Sequence, residues 1–223
     1  MSGTDALDVV VVDDHLLVRE GIKAVLARAS GITVVGEGEA GNHVLELVNQ
    51  HRPDVLILDI GMPADAGDPR GPRFDAERAV RAIATQYPET AVLVVSQNTH
   101  RPIILGLVSS GIRGYILKDD ALSAHLVEAV HIVAKGGVFL SREIEAEHLM
   151  KDSVLTDRHI ELIQAYLASP NADRKEIALK LSISEHTVRN HMVEIRERLH
   201  VETWLAAVLK AVVEGYVALP RQL

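Results

Sequence analysis

Along the first 140 or so residues, short apolar runs alternate with longer amphipathic stretches. Val- and Ile-rich runs of strand length stand at 7–12, 32–35, 55–58, 91–95 and 114–117. Between them, at 16–29, 44–50, 74–86, 103–109 and 122–135, apolar residues recur every three or four positions, the period of a helix that buries one face. The pattern predicts an α/β doubly wound fold, (βα) five times over, with a parallel sheet covered by helices on both faces. Its ligand site belongs beyond the carboxyl ends of the strands.

After 138 this rhythm stops. A polar, acidic segment within 141–154 reads as a linker, in part helical, and all-helical periodicity follows. Thr156 caps a helix carrying Ile160, Ile163 and Leu167, which Pro170-Asn171 ends. A short helix at 174–180 and the turn Leu181-Ser182-Ile183 lead to Ser184, the cap of a long helix to Leu199, and a last helix spans 203–214. Short helix, turn and long helix make a helix-turn-helix. Val188, Met192, Ile195 and Leu199 stack on one face of the long helix as core, leaving His186, Arg189, Asn190, Val193 and Arg196 on or beside the other. Arg suits guanine and Asn suits adenine in a major groove, while Thr187 and Lys175 suit phosphates. Taken by themselves, these charges also fit an ordinary solvated helix face.

A length of 223 residues agrees with two modest domains, read as 1–140 and 155–223. The absence of cysteine excludes disulfides, thiolate metal sites and thiol nucleophiles. No apolar run reaches the roughly 18 residues of a membrane span, and the N-terminus lacks a basic stretch followed by an apolar one, so the expected location is cytoplasmic. The net charge of -8 speaks against indiscriminate nucleic-acid binding, but it is unevenly spread. Up to Glu143 there are 13 Lys and Arg against 19 Asp and Glu, and beyond it 10 against 12.

The acid concentrates where chemistry is expected. The first strand ends in Asp13-Asp14, the third in Asp59, the fourth in Ser96 and the fifth, one residue on, in Lys118. Carboxylates about 4 Å apart repel by about 4 kcal/mol per pair at an effective dielectric near 20, so the cluster calls for a cation. Mg²⁺ suits it, taking one or two carboxylates and leaving positions for water and phosphate oxygens. Lys118 and Ser96 are placed to hold the remaining oxygens of a phosphoryl group on Asp59. Any one of these residues is equally well read as a helix cap; all five together are not. A rival motif, Gly36-Glu37-Gly38-Glu39-Ala40-Gly41, fits a dinucleotide fingerprint and would make the chain an oxidoreductase. That reading leaves Asp13, Asp14, Ser96 and Lys118 without a role.

The residues Asp13-Asp14-His15, Arg52-Pro53-Asp54, Leu58-Asp59-Ile60-Gly61-Met62-Pro63, Ser96 and Gly114-Tyr115-Ile116-Leu117-Lys118 closely resemble the receiver domain of two-component response regulators. The resemblance implies strand order 2-1-3-4-5 and a phosphoryl group accepted on Asp59 from a histidine kinase. It implies Mg²⁺ held by Asp14, Asp59 and the Gly61 carbonyl with help from Asp13, and Ser96, Tyr115 and Lys118 as switch residues. Lys175-Glu176-Ile177-Ala178 and the run from Ile183 to His191 resemble the LuxR-type helix-turn-helix, and the two together resemble the NarL/FixJ family. This implies a transcription regulator rather than a turnover enzyme, with promoter double-stranded DNA, RNA polymerase and a second copy of the chain as partners. Dimerisation would use Trp204, Leu205, Val208 and Val212 of the last helix. An atypical regulator that signals by protein contacts without phosphate is the alternative.

Departures from the family are local. The connection Ala64 to Arg73 is longer than usual, either a tolerated insertion or a lid or partner contact, and Asp119 follows Lys118 where many receivers carry a cis proline. In the second domain Ala172-Asp173 replaces a small polar lead, His159 replaces a frequent Glu, and Trp204 and Leu205 replace polar residues.

Overall fold

A computed structural model describes residues 6–68, 70–118, 122–141 and 154–219. Strands β1 (Leu7–Val12), β2 (Ile32–Gly38), β3 (Val55–Leu58), β4 (Ala91–Ser96) and β5 (Gly114–Leu117) alternate with helices α1 (Leu16–Leu26), α2 (Asn42–His51), α3 (Ala76–Gln86), α4 (Arg101–Ser110) and α5 (Leu122–Ala134). A sixth strand, β6 (Phe139–Leu140), follows, and the parallel sheet runs β2-β1-β3-β4-β5-β6. The expected order of five strands is thus extended by one. β6 has only two residues and so no readable period; it is held by backbone bonds from Phe139 N to the Arg113 carbonyl (3.1 Å) and from Ser141 N to the Tyr115 carbonyl (3.0 Å).

Successive residues of a strand point to opposite faces, so the apolar runs divide into two cores. Val10, Val12, Leu56, Leu58, Val92 and Val94 pack under Val44 and Val48 of α2, Val80 and Ile83 of α3, and Ile104, Leu107 and Val108 of α4. Val9, Val11, Val55, Ile57, Leu93 and Ile116 pack under Ile22 and Leu26 of α1 and Leu126, Val130 and Val133 of α5. Each fully buried aliphatic side chain contributes about 1.5–3 kcal/mol, and the two-sided burial explains why the strands read as unbroken apolar runs.

The second domain comprises α6 (Asp157–Leu167), α7 (Arg174–Leu181), α8 (Glu185–Arg198) and α9 (Trp204–Val213). The side chains of Thr156, Asp173, Ser184 and Thr203 each accept a backbone N–H three residues on and so fix where the four helices begin. Caps of this kind are worth about 1 kcal/mol each. Ser182 turns the chain between α7 and α8 in the left-handed region, with φ 54°. Val188, Ile195 and Leu199 are core as expected, with Met192 half-buried beside them. From Ala206 to Val213, every residue but Lys210 is 2% exposed or less, so α9 is covered nearly all round. One side faces α8 and the other lies on α4 of the first domain. The proposed linker falls mostly on 142–153, outside the described residues.

Candidate functional site

Val12, Leu58, Val94 and Tyr115 form one row across the sheet. The residues just beyond that row, Asp13, Asp59, Ser96 and Lys118, therefore finish at one edge. Lys118 Nζ lies 2.7 Å from Asp13 Oδ2 and 2.8 Å from Asp59 Oδ2, and all three side chains are at least nine-tenths buried. Buried charges persist only when paired, and here one ammonium serves two carboxylates. Asp59 Oδ1 accepts hydrogen bonds from the backbone N–H groups of Ile60 (2.7 Å) and Gly61 (3.2 Å).

Two buried oxygens, Asp13 Oδ2 and Asp14 Oδ1, accept no well-aligned hydrogen bond, although Lys118 and His15 stand 2.7 and 2.8 Å away. His15 also stands in this cluster, but its three carboxylates, with orphaned lone pairs and surplus negative charge, suit a hard divalent cation, so Asp13, Asp14 and Asp59 fit the expected Mg²⁺. The Gly61 carbonyl, named as a further ligand, accepts a hydrogen bond from Arg73 Nη1 at 2.7 Å. Neither Arg73 nor Arg19 was singled out from sequence. Arg19 is buried and donates to the Asp13 carbonyl at 2.6 Å, which fixes the turn that carries Asp13 and Asp14. It also pairs with Glu37, whose carboxyl Lys23 holds below the usual range.

Of the three residues expected to act as a switch, Lys118 lies with Asp13 and Asp59, while Ser96 and Tyr115 converge on the loop after β4. Ser96 Oγ accepts from Asn98 N at 3.1 Å, and the Tyr115 hydroxyl donates to the Asn98 carbonyl at 2.6 Å. Burial pushes that hydroxyl up to about 12. Asn98 carried no signal in the sequence because its part is played by its backbone. Asp119 lies outside the described residues, and the question of the Lys118–Asp119 bond with it.

The glycine motif takes up other work. The strand expected to end at Val35 runs on, so Gly36 and Gly38 belong to β2 rather than to a turn after it, and a Cβ at Gly41 would run into the Phe74 ring. Those glycines admit close packing rather than a pyrophosphate.

On the second domain Lys175, His186, Arg189, Asn190 and Val193 are exposed, while Thr187 and Arg196 are half-buried. Thr187 Oγ1 lies 2.8 Å from the capping Ser184 Oγ, and Asn190 Nδ2 lies 3.2 Å from His186 Nε2. Arg196 is engaged elsewhere, donating to the carbonyls of Met192 (3.3 Å) and Glu202 (2.9 Å) and thereby bracing the turn into α9. Trp204 and Leu205 are half-buried, with the Trp204 ring set edgewise 5.5 Å from Tyr166. Val208 and Val212 are buried within the single chain, so a second copy does not reach them in this arrangement.

His159 does the capping work of the Glu it replaces. Its Nδ1 accepts from Thr156 N at 3.3 Å, so the ring hydrogen sits on Nε2, which faces Glu194 Oε2 at 3.3 Å. His159, His191 and Glu194 lie close enough to share an ion, but these bonds leave His159 no free lone pair. The three staple α6 to the helix with the predicted DNA face. Burial lowers the His159 pKa, and the Arg198 hydrogen bond lowers that of Glu194.

Comparison with known proteins agrees with this arrangement. Residues 9–131 match the response regulator receiver domain, and residues 153–211 match the luxR family of bacterial regulatory proteins. The chain is 31% identical over 236 residues to the transcriptional regulatory protein DegU of Brevibacillus brevis, covering 95% of each. It is 31% identical to the probable transcriptional regulatory protein NarL of Mycobacterium tuberculosis, over 91% of this chain and 92% of that one. A structure of two RcsB dimers on two parallel DNAs matches with TM-score 0.56 and 23% identity, over 94% of this chain and 99% of that one, which shows the shared fold.

Proposed function

The chain belongs to the NarL/FixJ family of response regulators, and from that membership we propose how it works as a phosphorylation-controlled, DNA-binding transcription regulator. Asp59 accepts the phosphoryl group of a histidine kinase. A carboxylate oxygen attacks phosphorus, the P–N bond to the kinase histidine breaks, and its electron pair stays on the imidazole. The observation that carries this reading is the buried Asp59 carboxylate with Lys118 Nζ 2.8 Å from one oxygen and two backbone N–H groups on the other. These fix the nucleophile and leave the ammonium beside the place where the phosphoryl oxygens arrive. Asp13, Asp14 and Asp59 would hold Mg²⁺, which when bound would supply charge neutralisation for those oxygens.

Lys118 is then shared between Asp13, Asp59 and the new phosphoryl oxygens, and Ser96 has a stronger acceptor than before. Ser96 and Tyr115 both hold the Asn98 backbone, two residues before the cap of α4, and α4 carries α9. The bistable element is that loop with α4, and phosphorylation shifts it toward the arrangement that frees the second domain for promoter DNA. A free α9 allows two copies to pair through Trp204, Leu205, Val208 and Val212. As a partner of promoter DNA and of RNA polymerase, the protein is placed in the cytoplasm.

DNA footprinting with and without a small-molecule phosphodonor tests the reading. Phosphodonor strengthens protection by the native chain and leaves Asp59→Asn unchanged and unlabelled, since an amide forms no acyl phosphate. An Asp59→Asn chain labelled as well as the native one overturns the assignment. A native chain that takes no label on Asp59 and gives the same footprint with and without phosphodonor favours the alternative of signalling by protein contacts without phosphate.

A further inference from the structure

The two ends of the long connection after β3 are held in a defined arrangement. Pro63 and Arg73 face each other as an antiparallel bridge, and Ala64 N donates to the Pro72 carbonyl at 2.9 Å. Its base is tied to α2 by bonds from Gly41 N to the Pro63 carbonyl (3.0 Å) and from Asn42 N to the Ala64 carbonyl (2.8 Å), and Phe74 N closes onto the Met62 carbonyl (3.2 Å). The hairpin base therefore delivers Arg73 to a set position twelve residues from Gly61, where its Nη1 donates to the Gly61 carbonyl at 2.7 Å. The side chain is exposed, so it can swing into solvent without opening a core.

We propose that Arg73 is an internal competitor for the divalent cation: its guanidinium takes the Gly61 carbonyl, and the cation must displace it to claim that ligand. The inference rests on the reading of Asp13, Asp14, Asp59 and Gly61 as the cation site. A carbonyl oxygen that accepts from a cationic donor is a poorer ligand, and two positive groups at one oxygen repel. The hairpin thus sets the cation concentration at which the site loads. Arg73 is a positioning residue; it touches a ligand atom and not Asp59.

Calorimetric titration of Mg²⁺ alone into the full native chain, Arg73→Ala and Asp14→Asn tests this, with Mn²⁺ binding followed by EPR as a second readout. Arg73→Ala should bind Mg²⁺ about three- to tenfold more tightly than the native chain, the change expected when roughly one surface charge-assisted hydrogen bond no longer has to be broken. The gain should persist in 0.5 M salt, where charges more than about 4 Å apart are screened, because the competition is by contact. Equal or weaker binding by Arg73→Ala, with Asp14→Asn impaired, overturns the competitor and leaves the cation site standing. A gain that vanishes in 0.5 M salt also overturns it, reducing Arg73 to a distant charge. If neither the native chain nor Arg73→Ala binds Mg²⁺ or Mn²⁺, the cation site and the competitor fail together.

Discussion

At the scale of single residues, His159 puts a proton-sensitive group where the family carries a frequent carboxylate. Its ring is 1% exposed, and burial lowers its pKa while Glu194 partly opposes the shift. Below about pH 6.5 the unfolded chain takes up a proton that the folded domain refuses, so stability is complete above that value and falls as pH drops toward the folded pKa. Glu194, lowered mainly by Arg198, adds a second loss in the same direction at still lower pH, below the usual carboxylate range. Urea unfolding followed by the fluorescence of the only tryptophan, Trp204, should therefore show a lower midpoint at pH 5.5 than at pH 7.5. His159→Gln should flatten that difference; an unchanged slope would show that His159 is not its source. That Asp13, Asp59 and Lys118 meet was legible at this scale because each sits at or just beyond a strand end, and strand ends follow from apolar runs. Arg73 was not, since its position depends on how a ten-residue connection folds back, and no period in the chain encodes that.

Among elements, α7 and α8 carry the DNA prediction. Arg189 and Asn190 are exposed on the N-terminal half of α8, the part that meets base edges in this geometry, whereas Lys175 is exposed at the start of α7. Arg189→Ala should cost about 1–3 kcal/mol on the cognate site and little on random DNA. Lys175→Ala should weaken both and lower the salt slope by about one. Binding isotherms on the two DNAs at several salt concentrations would check this, and equal losses for Arg189→Ala would mean that the base-reading face lies elsewhere. Helix starts were readable from Thr156, Ser184 and the apolar period. The role of Arg196 was not: side chains beside a helix face are assigned by period, but this one reaches the Glu202 carbonyl beyond the helix end. β6 escaped for the complementary reason, having two residues and no alternation to read.

For the whole molecule the consequential fact is the seat of α9 on α4. Apart from Lys210, α9 is apolar throughout, the composition of a helix covered on most sides, yet nothing in it says whether its own domain, a second copy or the receiver provides the cover. If phosphorylation releases this contact, amides of α4 and α9 should gain hydrogen exchange together on adding phosphodonor, while the strands β1 and β3 keep their protection. Full-length Asp59→Asn should show no change. Exchange that rises in α4 alone would mean that the two helices part by some other route.

The short β6 has one more consequence. A sheet edge is a row of unpaired N–H and carbonyl groups, ready to template another chain, and this sheet has both edges blunted. At one side β6 is only two residues long; at the other β2 ends with Gly36, Glu37 and Gly38, and the charge of Glu37 is anchored by Arg19 and Lys23. The receiver therefore resists the strand-to-strand stacking that leads to fibres. If copies of this chain pair as proposed, helices rather than sheet edges offer the surface, and such contacts break and re-form without unzipping a sheet.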